Sequence, residues 1–138
     1  MPALHPSTAS KPLDEKITIN VGVVDLGQID LLVQEGFYAN RTDLIRTAIR
    51  NQLSSHAEVV RQAVARKTLA LGLQHLGADD LRALQAAGQT LHLKVLGLLS
   101  IAPEVTPELA LATIESVTVL GALHASPAVK AALASRLR

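Results

Sequence analysis

A repeat near the end of the chain constrains its fold more than any other feature. Residues 94–109, KVLGLLSIAPEVTPEL, align without gaps on residues 118–133, TVLGALHASPAVKAAL, at an offset of 24 positions. Seven of the sixteen aligned positions are identical, and both copies contain the triplet Val-Leu-Gly. A repeat of roughly 20 to 30 residues is typical of solenoids built from a strand and a helix.

Each copy of the repeat predicts a strand, a proline-marked turn and a helix. We expect strands at 91–101 and 117–125, and helices at 107–116 and 127–137. The order strand, helix, strand implies parallel strands with the helices on one face. Two copies are fewer than the three or so that a stable solenoid usually needs. We therefore expect another subunit to complete the sheet, or the preceding helix to cap it.

A second pattern lies near the start, in residues 15–53, EKITINVGVVDLGQIDLLVQEGFYANRTDLIRTAIRNQL. Polar and apolar residues alternate over 16–21, which predicts a strand. A lone strand cannot satisfy its own backbone hydrogen bonds, so this one must find a partner.

Two helices are predicted after this strand. The first is expected to begin with Asp25 as its N-cap and to end in a left-handed turn at Gly36. The second is expected to begin at Asn40, with Asp43 at its third position. Their apolar stripes, expected to be buried, are Leu26, Ile29, Leu32 and Val33 in the first helix and Leu44, Ile45, Ala48, Ile49 and Leu53 in the second.

The order of strand, helix, GFYANRTD turn and IRTAIR helix resembles the ribbon-helix-helix family of bacterial DNA-binding proteins, the group of the Arc, methionine and CopG-like repressors. The resemblance covers residues 16–53 and implies an intertwined dimer in which two such strands pair antiparallel. The predicted fold class is therefore α+β, with an N-terminal ribbon-helix-helix followed by helices and a small C-terminal strand-helix repeat.

The same resemblance implies two sets of contacts with double-stranded DNA. A two-stranded ribbon fits the major groove, and the free N–H groups at a helix N-terminus bind phosphate. The implied base-reading residues are Lys16, Thr18 and Asn20, and the implied phosphate-binding residues are Asn40, Arg41, Thr42 and Arg46.

Each of these residues also has a simpler interpretation. Alternating polar residues on a strand are typical of a solvated face, and Asn40 caps a helix whatever the function. Arg46 and Arg50 have an alternative in ion pairs with Asp43 or Asp30.

The amino-acid composition argues against several classes of binding site. The only aromatic residues are Phe37 and Tyr38, which argues against stacking on single-stranded nucleic acid. The chain has no cysteine, so it has neither disulfides nor thiolate metal ligands. The net charge is only +1, yet residues 41–67 are locally basic.

No metal site, cofactor or catalytic residue is predicted. The nickel site known in one branch of the family needs a denser histidine cluster, so surface or boundary positions are expected for the five histidines. They are His5, His56, His75, His92 and His124. Asp79 and Asp80 are expected to cap a helix, and no Ser–His–Asp arrangement is evident around Ser100 or Ser126. The chain is therefore not expected to be an enzyme.

Four segments follow from these patterns. They are a flexible N-terminal arm (1–15), the ribbon-helix-helix domain (16–55), a helical connector (56–90) with a short helix at 78–88, and the C-terminal repeats (91–138).

The sequence predicts a transcriptional repressor that binds specific double-stranded DNA as an obligate homodimer. Residues 91–138 would form a higher oligomer or bind a protein partner. Two alternatives remain: an autoregulatory antitoxin, and a DNA-bridging or segregation protein that assembles through its repeats. No apolar run is long enough to span a membrane, and we expect the protein in the bacterial cytoplasm, associated with the nucleoid.

Overall fold

The computed structural model describes residues 13–138, which fall into two compact units: one is Asp14–Ala63, and the other is Val64–Arg138 together with Leu13. The arm predicted at 1–15 and the surface or boundary position predicted for His5 lie outside the described residues, apart from positions 13–15. The helices are α1 (Val23–Gln34), α2 (Arg41–Ser55), α3 (Ala57–Lys67), α4 (Ala78–Ala86), α5 (Pro107–Thr113) and α6 (Pro127–Leu133), with a short 3-10 helix at Ala134–Arg136. The strands are β1 (Ala70–Leu76), β2 (Leu91–Ile101) and β3 (Ile114–His124). Between residues 13 and 138, no helix is long and apolar enough to cross a membrane.

Helix α1 begins two residues before its predicted cap. The carbonyl of Gly22 accepts the first helical hydrogen bond, from the N–H of Leu26 at 2.9 Å, so Asp25 lies within the first turn and the prediction that it is the N-cap is wrong. The predicted end is confirmed. Gly36 has φ +86°, and the N–H groups of Gly36 and Phe37 donate to earlier carbonyls in the last turn, each at 3.0 Å. This paired arrangement ends a helix with a left-handed glycine.

Helix α2 begins as the sequence predicts. Asn40 is its N-cap, and the side-chain Oδ1 accepts the N–H of Asp43 at 2.8 Å. The Asp43 carboxylate in turn accepts the N–H of Ala39 at 2.9 Å. These two bonds satisfy backbone donors that the helix itself cannot pair.

The N-terminal unit encloses no core within a single chain. Residues 14–22 form neither helix nor strand, so the strand predicted at 16–21 is absent in the single chain. No residue of 14–63 is buried, and the apolar stripes predicted to be buried are exposed or half-buried. Ile49 is 47% exposed and Leu53 is 60% exposed. Two helices that meet along one side leave the rest of their apolar surface in solvent.

The C-terminal unit is a three-stranded parallel sheet in the order β1-β2-β3, with each strand followed by a helix. Alternate residues of β2 point into the layer between sheet and helices, as the parallel arrangement with helices on one face predicts. The buried apolar residues are Leu76, Ala78, Leu81, Leu93, Val95, Leu99, Ile101, Ala102, Val105, Leu109, Ala110, Ile114, Val117, Val129 and Leu133.

Strand β1 corrects two expectations. Residues 56–90 are not wholly helical, because Ala70–Leu76 forms a strand that pairs with residues 95–101. The chain therefore supplies the third repeat itself, and the sheet needs neither another subunit nor a helix to reach three strands.

The boundaries of the two predicted repeats are partly right. Strand β2 has the predicted limits, and α5 and α6 begin at the predicted prolines. The two helices end early, at Thr113 and Leu133, and β3 starts at Ile114, three residues before its predicted start. The β-branched Ile114 is fully buried in the sheet, which favours a strand at that point over a longer helix.

Three glycines in register explain the repeated Val-Leu-Gly triplet. Gly72, Gly97 and Gly121 are direct neighbours across the three strands, with φ of +114°, +138° and +125°. A Cβ on Gly97 would collide with the carbonyl of Gly72, and one on Gly121 with the carbonyl of Gly97. The close approach of these backbones therefore requires glycine at the second and third strands.

Candidate nucleic-acid interface

The three implied base-reading residues lie in the segment that precedes α1. Lys16, Thr18 and Asn20 are all exposed, and their side chains form no hydrogen bond with another residue of 13–138. They are free to contact a ligand, but a single chain does not fix them on a strand.

The implied phosphate-binding residues surround the N-terminus of α2. The side chain of Asn40 caps the helix by accepting the N–H of Asp43. The backbone N–H groups of Arg41 and Thr42 have no backbone acceptor in the described part of the chain. Both donors lie at the positive end of the helix dipole, and both residues are exposed. This arrangement favours an anion such as a phosphate.

Arg41 is held by a carboxylate of the preceding helix. Its Nε and Nη2 donate to the two carboxylate oxygens of Asp30, at 2.7 and 2.8 Å. The hydrogen bond to Arg41 holds the pKa of Asp30 below its usual value, and the same bond raises the pKa of Arg41. Any stabilisation from the pair is therefore present at neutral pH and is lost only as the pH falls through the lowered pKa of Asp30. Because both side chains are exposed, that stabilisation is small.

The basic surface of α2 extends one turn further. Arg46 and Arg50 lie one turn apart on the same side of the helix and are exposed. Neither forms an ion pair with any residue in 13–138, so the alternative pairings with Asp30 or Asp43 are wrong. Asp30 pairs with Arg41, and nothing in the sequence signalled this pair, because it joins residues 11 positions apart across a turn.

A polar cluster that the sequence did not suggest lies on the C-terminal sheet. Nδ1 of His92 is 2.7 Å from Oγ of Ser116, and its Nε2 is 3.3 Å from a carboxylate oxygen of Glu115. A catalytic serine needs a site that excludes water and oriented oxyanion donors. Here His92 and Glu115 are both more than half exposed, so the cluster is a solvated surface network.

The remaining candidate residues from the sequence, Asp79, Asp80 and Ser126, lie at the starts of helices. Asp80 accepts the N–H of Gly77 at 3.0 Å, which confirms its capping role. The capping role predicted for Asp79 is wrong, because its side chain pairs with Arg82 instead. Ser126 is the N-cap of α6. Within residues 13–138, no three His, Cys, Asp or Glu side chains form a group that could hold a metal ion.

A family model described as the Ribbon-Helix-Helix transcriptional regulator family matches residues 12–130. No curated protein and no solved structure gives a significant match to the chain. The match extends well beyond the 16–53 stretch in which the sequence resembles that family, and it includes all three strands of the C-terminal sheet. Proteins of this family bind DNA, generally as dimers, and are generally not enzymes. The chain belongs to the ribbon-helix-helix family of transcriptional regulators.

Proposed function

We propose that the protein is a homodimeric repressor that reads a specific double-stranded DNA site with a two-stranded ribbon. One observation carries the proposal: the unit of residues 14–63 buries no side chain in a single chain. Within it, Ile17 is 75% exposed and Ile19 is 67% exposed. Pairing of residues 16–21 with the same segment of a second chain would satisfy their backbone and bury these isoleucines against the helices.

In this dimer the polar residues of the ribbon face the major groove. Lysine can donate to guanine O6 and N7, and asparagine can pair with the N6 and N7 atoms of adenine. Each chain contributes Lys16, Thr18 and Asn20, so the ribbon presents six side chains and reads a pseudo-palindromic subsite.

Phosphates flanking that subsite are bound at the N-terminus of each α2. The unpaired N–H groups of Arg41 and Thr42 donate to phosphate oxygens there, and the Arg41 side chain exchanges the Asp30 carboxylate for the phosphate. Arg46, which is exposed and unpaired among the described residues, adds positive charge one turn along. These contacts fix register and orientation without reading sequence.

The C-terminal unit extends this function to assembly. One ribbon reads only a few base pairs, and linked dimers on neighbouring subsites gain affinity through effective concentration. The folded sheet of residues 64–138 also favours a second candidate function, in which the protein bridges DNA through its repeats. An antitoxin role is less favoured, because a folded sheet differs from the short disordered tail common among antitoxins.

The test of specific readout compares DNA binding by the wild type and a Thr18→Ala/Asn20→Ala variant. The probes are the DNA upstream of the protein's own gene and a random duplex of equal length. A good base contact is worth about 1–3 kcal/mol, so the double change should reduce the preference for the upstream DNA at least about tenfold. Ser54→Ala, an exposed change at the far end of α2, serves as the control and should leave the preference intact. Equal binding of both duplexes by the wild type and the variant would refute readout by the ribbon.

A second test concerns the phosphate contacts. Arg41→Ala should weaken binding to every duplex and reduce the slope of log K against log salt by about 0.9 for each phosphate lost, or about 2 per dimer. Arg61→Ala removes the same charge from α3, where Arg61 pairs with Glu58, and should change the slope less. If Arg41→Ala and Arg61→Ala give the same slope, Arg41 does not contact phosphate.

A further inference from the structure

Among the described residues of the C-terminal unit, no helix covers one face of the parallel sheet. The three helices pack on the face that carries Leu93, Val95 and Leu99, and the residues between these point the other way. Three rows cross the three strands on this second side, of which the row of His75, Ser100 and His124 is polar and the other two are apolar. The open face consists of Leu71, Leu96 and Leu120 in one row and Leu73, Leu98 and Ala122 in the next.

The open face is apolar and strongly solvated. Leu71 is 72% exposed, Leu73 is 62% exposed and Leu120 is 50% exposed. None of the six side chains is polar. Parallel sheets are almost always covered on both faces, and a contiguous apolar patch on a soluble surface marks a contact site. The single chain is therefore incomplete on this side.

We infer that the open face packs against the same face of a second copy of this chain. The inference rests on the proposed function in one respect, because the dimer formed by residues 14–63 keeps a second copy close at hand. The six residues of the open face carry no charge, so stacking them on a second copy brings no like charges together; Lys94, the nearest charged residue on β2 on this side, lies in the next row, outside the open face.

The size of the patch favours a copy over an unrelated partner. Strands about 4.8 Å apart and residues about 3.3 Å apart give the two rows a footprint on the order of 200 Å². Two such faces bury far less than the roughly 1,200 Å² of a free-standing interface. A partner arriving from solution would need a larger surface, whereas a copy held at millimolar effective concentration needs only a small one.

Cross-linking tests this contact cleanly, because the chain has no cysteine of its own. Leu96 lies at the centre of the open face, on the middle strand. Stacked sheets are about 10 Å apart, so a short bis-maleimide should join Leu96→Cys chains in pairs. The matched control is Ala112→Cys, exposed on α5 on the opposite side of the sheet, which should react with maleimide yet give little cross-linked pair.

We expect full-length Leu96→Cys to yield mainly cross-linked pairs at micromolar concentration and to react at least tenfold more slowly than Ala112→Cys with a bulky mono-maleimide. Leu98→Cys, the neighbouring open-face position, replaces Leu96→Cys if that variant fails to fold. A thiol at either position that reacts as fast as the control and forms no pair would overturn the inference and leave the face open to a different partner.

The molecular mass of the unmodified wild-type protein in solution, measured beside the cross-linking, distinguishes failure of this inference from failure of the proposed function. A dimer in solution whose open-face thiols do not cross-link refutes the contact but leaves the ribbon dimer intact. Cross-linked pairs in a protein without DNA preference support the contact and refute specific readout. A mass of two chains together with cross-linking would mean that the two open faces of one dimer pack on each other. A mass of four chains would mean that the open faces join two dimers. Either result supports the contact.

Discussion

In the free chain the Asp30 carboxylate accepts two hydrogen bonds from the Arg41 guanidinium. In the proposed complex a phosphate would displace Asp30, so this carboxylate would compete with DNA for Arg41. Asp30→Asn removes that competitor and also removes a negative charge beside the proposed phosphate site. We therefore expect Asp30→Asn to strengthen binding to specific and random duplexes alike, by roughly three- to tenfold in Kd at low salt. Fluorescence anisotropy titrations at several salt concentrations measure the change.

The control for this change is Asp79→Asn. It alters the net charge by the same amount and breaks the corresponding exposed pair with Arg82, but it lies on α4 in the other compact unit. Its effect on Kd should be under about twofold. Weaker binding by Asp30→Asn would show instead that the carboxylate orients Arg41 towards the phosphate.

At the scale of the elements, the three aligned glycines set the spacing of the sheet. Gly97→Ala places a methyl group against the backbone of Gly72, and neither strand can yield without breaking its ladder. Gly72→Ala carries a similar φ penalty, but its Cβ would meet nothing within 4 Å. We expect a cost of about 1–2 kcal/mol for Gly72→Ala, and of more than about 3 kcal/mol, or failure to fold, for Gly97→Ala. Urea unfolding followed by circular dichroism gives both values.

Gly121→Ala provides a replicate of this comparison, because its added Cβ would meet the backbone of Gly97. It should resemble Gly97→Ala more than Gly72→Ala. Equal costs at all three positions would mean that backbone φ, rather than the close approach of the strands, requires these glycines.

Local signals made several elements predictable. Asn40 and Asp43 mark the start of α2 because a cap is a contact within four residues, and Gly36 marks the end of α1 for the same reason. Strand β2 was predicted with its observed limits because its eleven residues are rich in Leu and carry a repeat.

Strand β1 could not be predicted in this way. Only Leu71 and Gly72 match the Val-Leu-Gly triplet, and the strand follows α3 after a short turn, so a helical period extends up to it. Its identity as a strand comes from pairing with residues 95–101, which lie 25 positions along the chain. The usable signal was the run Leu71-Gly72-Leu73, which is identical to Leu96-Gly97-Leu98 of β2 at that offset.

In the candidate site, too, local features could be predicted from the sequence and contacts between distant residues could not. The residue types at Lys16, Thr18 and Asn20 are visible in the sequence, and so is the basic start of α2. The pair between Arg41 and Asp30 is not, because it depends on how α1 and α2 pack. The predicted ribbon depends on a second chain, which one chain cannot display.

At the scale of the whole molecule, the two units differ in what a single chain provides. Residues 64–138 enclose a core of buried aliphatic side chains, whereas 14–63 enclose none. The stability of the N-terminal unit should therefore depend on protein concentration, since only association can supply its core. A tenfold increase in protein concentration adds about 1.4 kcal/mol per dimer to the free energy of unfolding. We therefore expect the thermal midpoint of this unit to rise by several degrees for each tenfold increase.

Ile19→Ser tests the same dependence at one position. Ile19 is 67% exposed in a single chain, so a monomer should lose no more than about 0.5 kcal/mol. A ribbon dimer should lose about 1.5–3 kcal/mol for each chain, because pairing buries the side chain. The control is Val59→Ser, which is 65% exposed on α3, outside the predicted ribbon and its two helices, and should be close to neutral. Sedimentation and urea unfolding at two concentrations separate the cases. A single-chain mass with equal, small effects of Ile19→Ser and Val59→Ser would rule out the ribbon dimer.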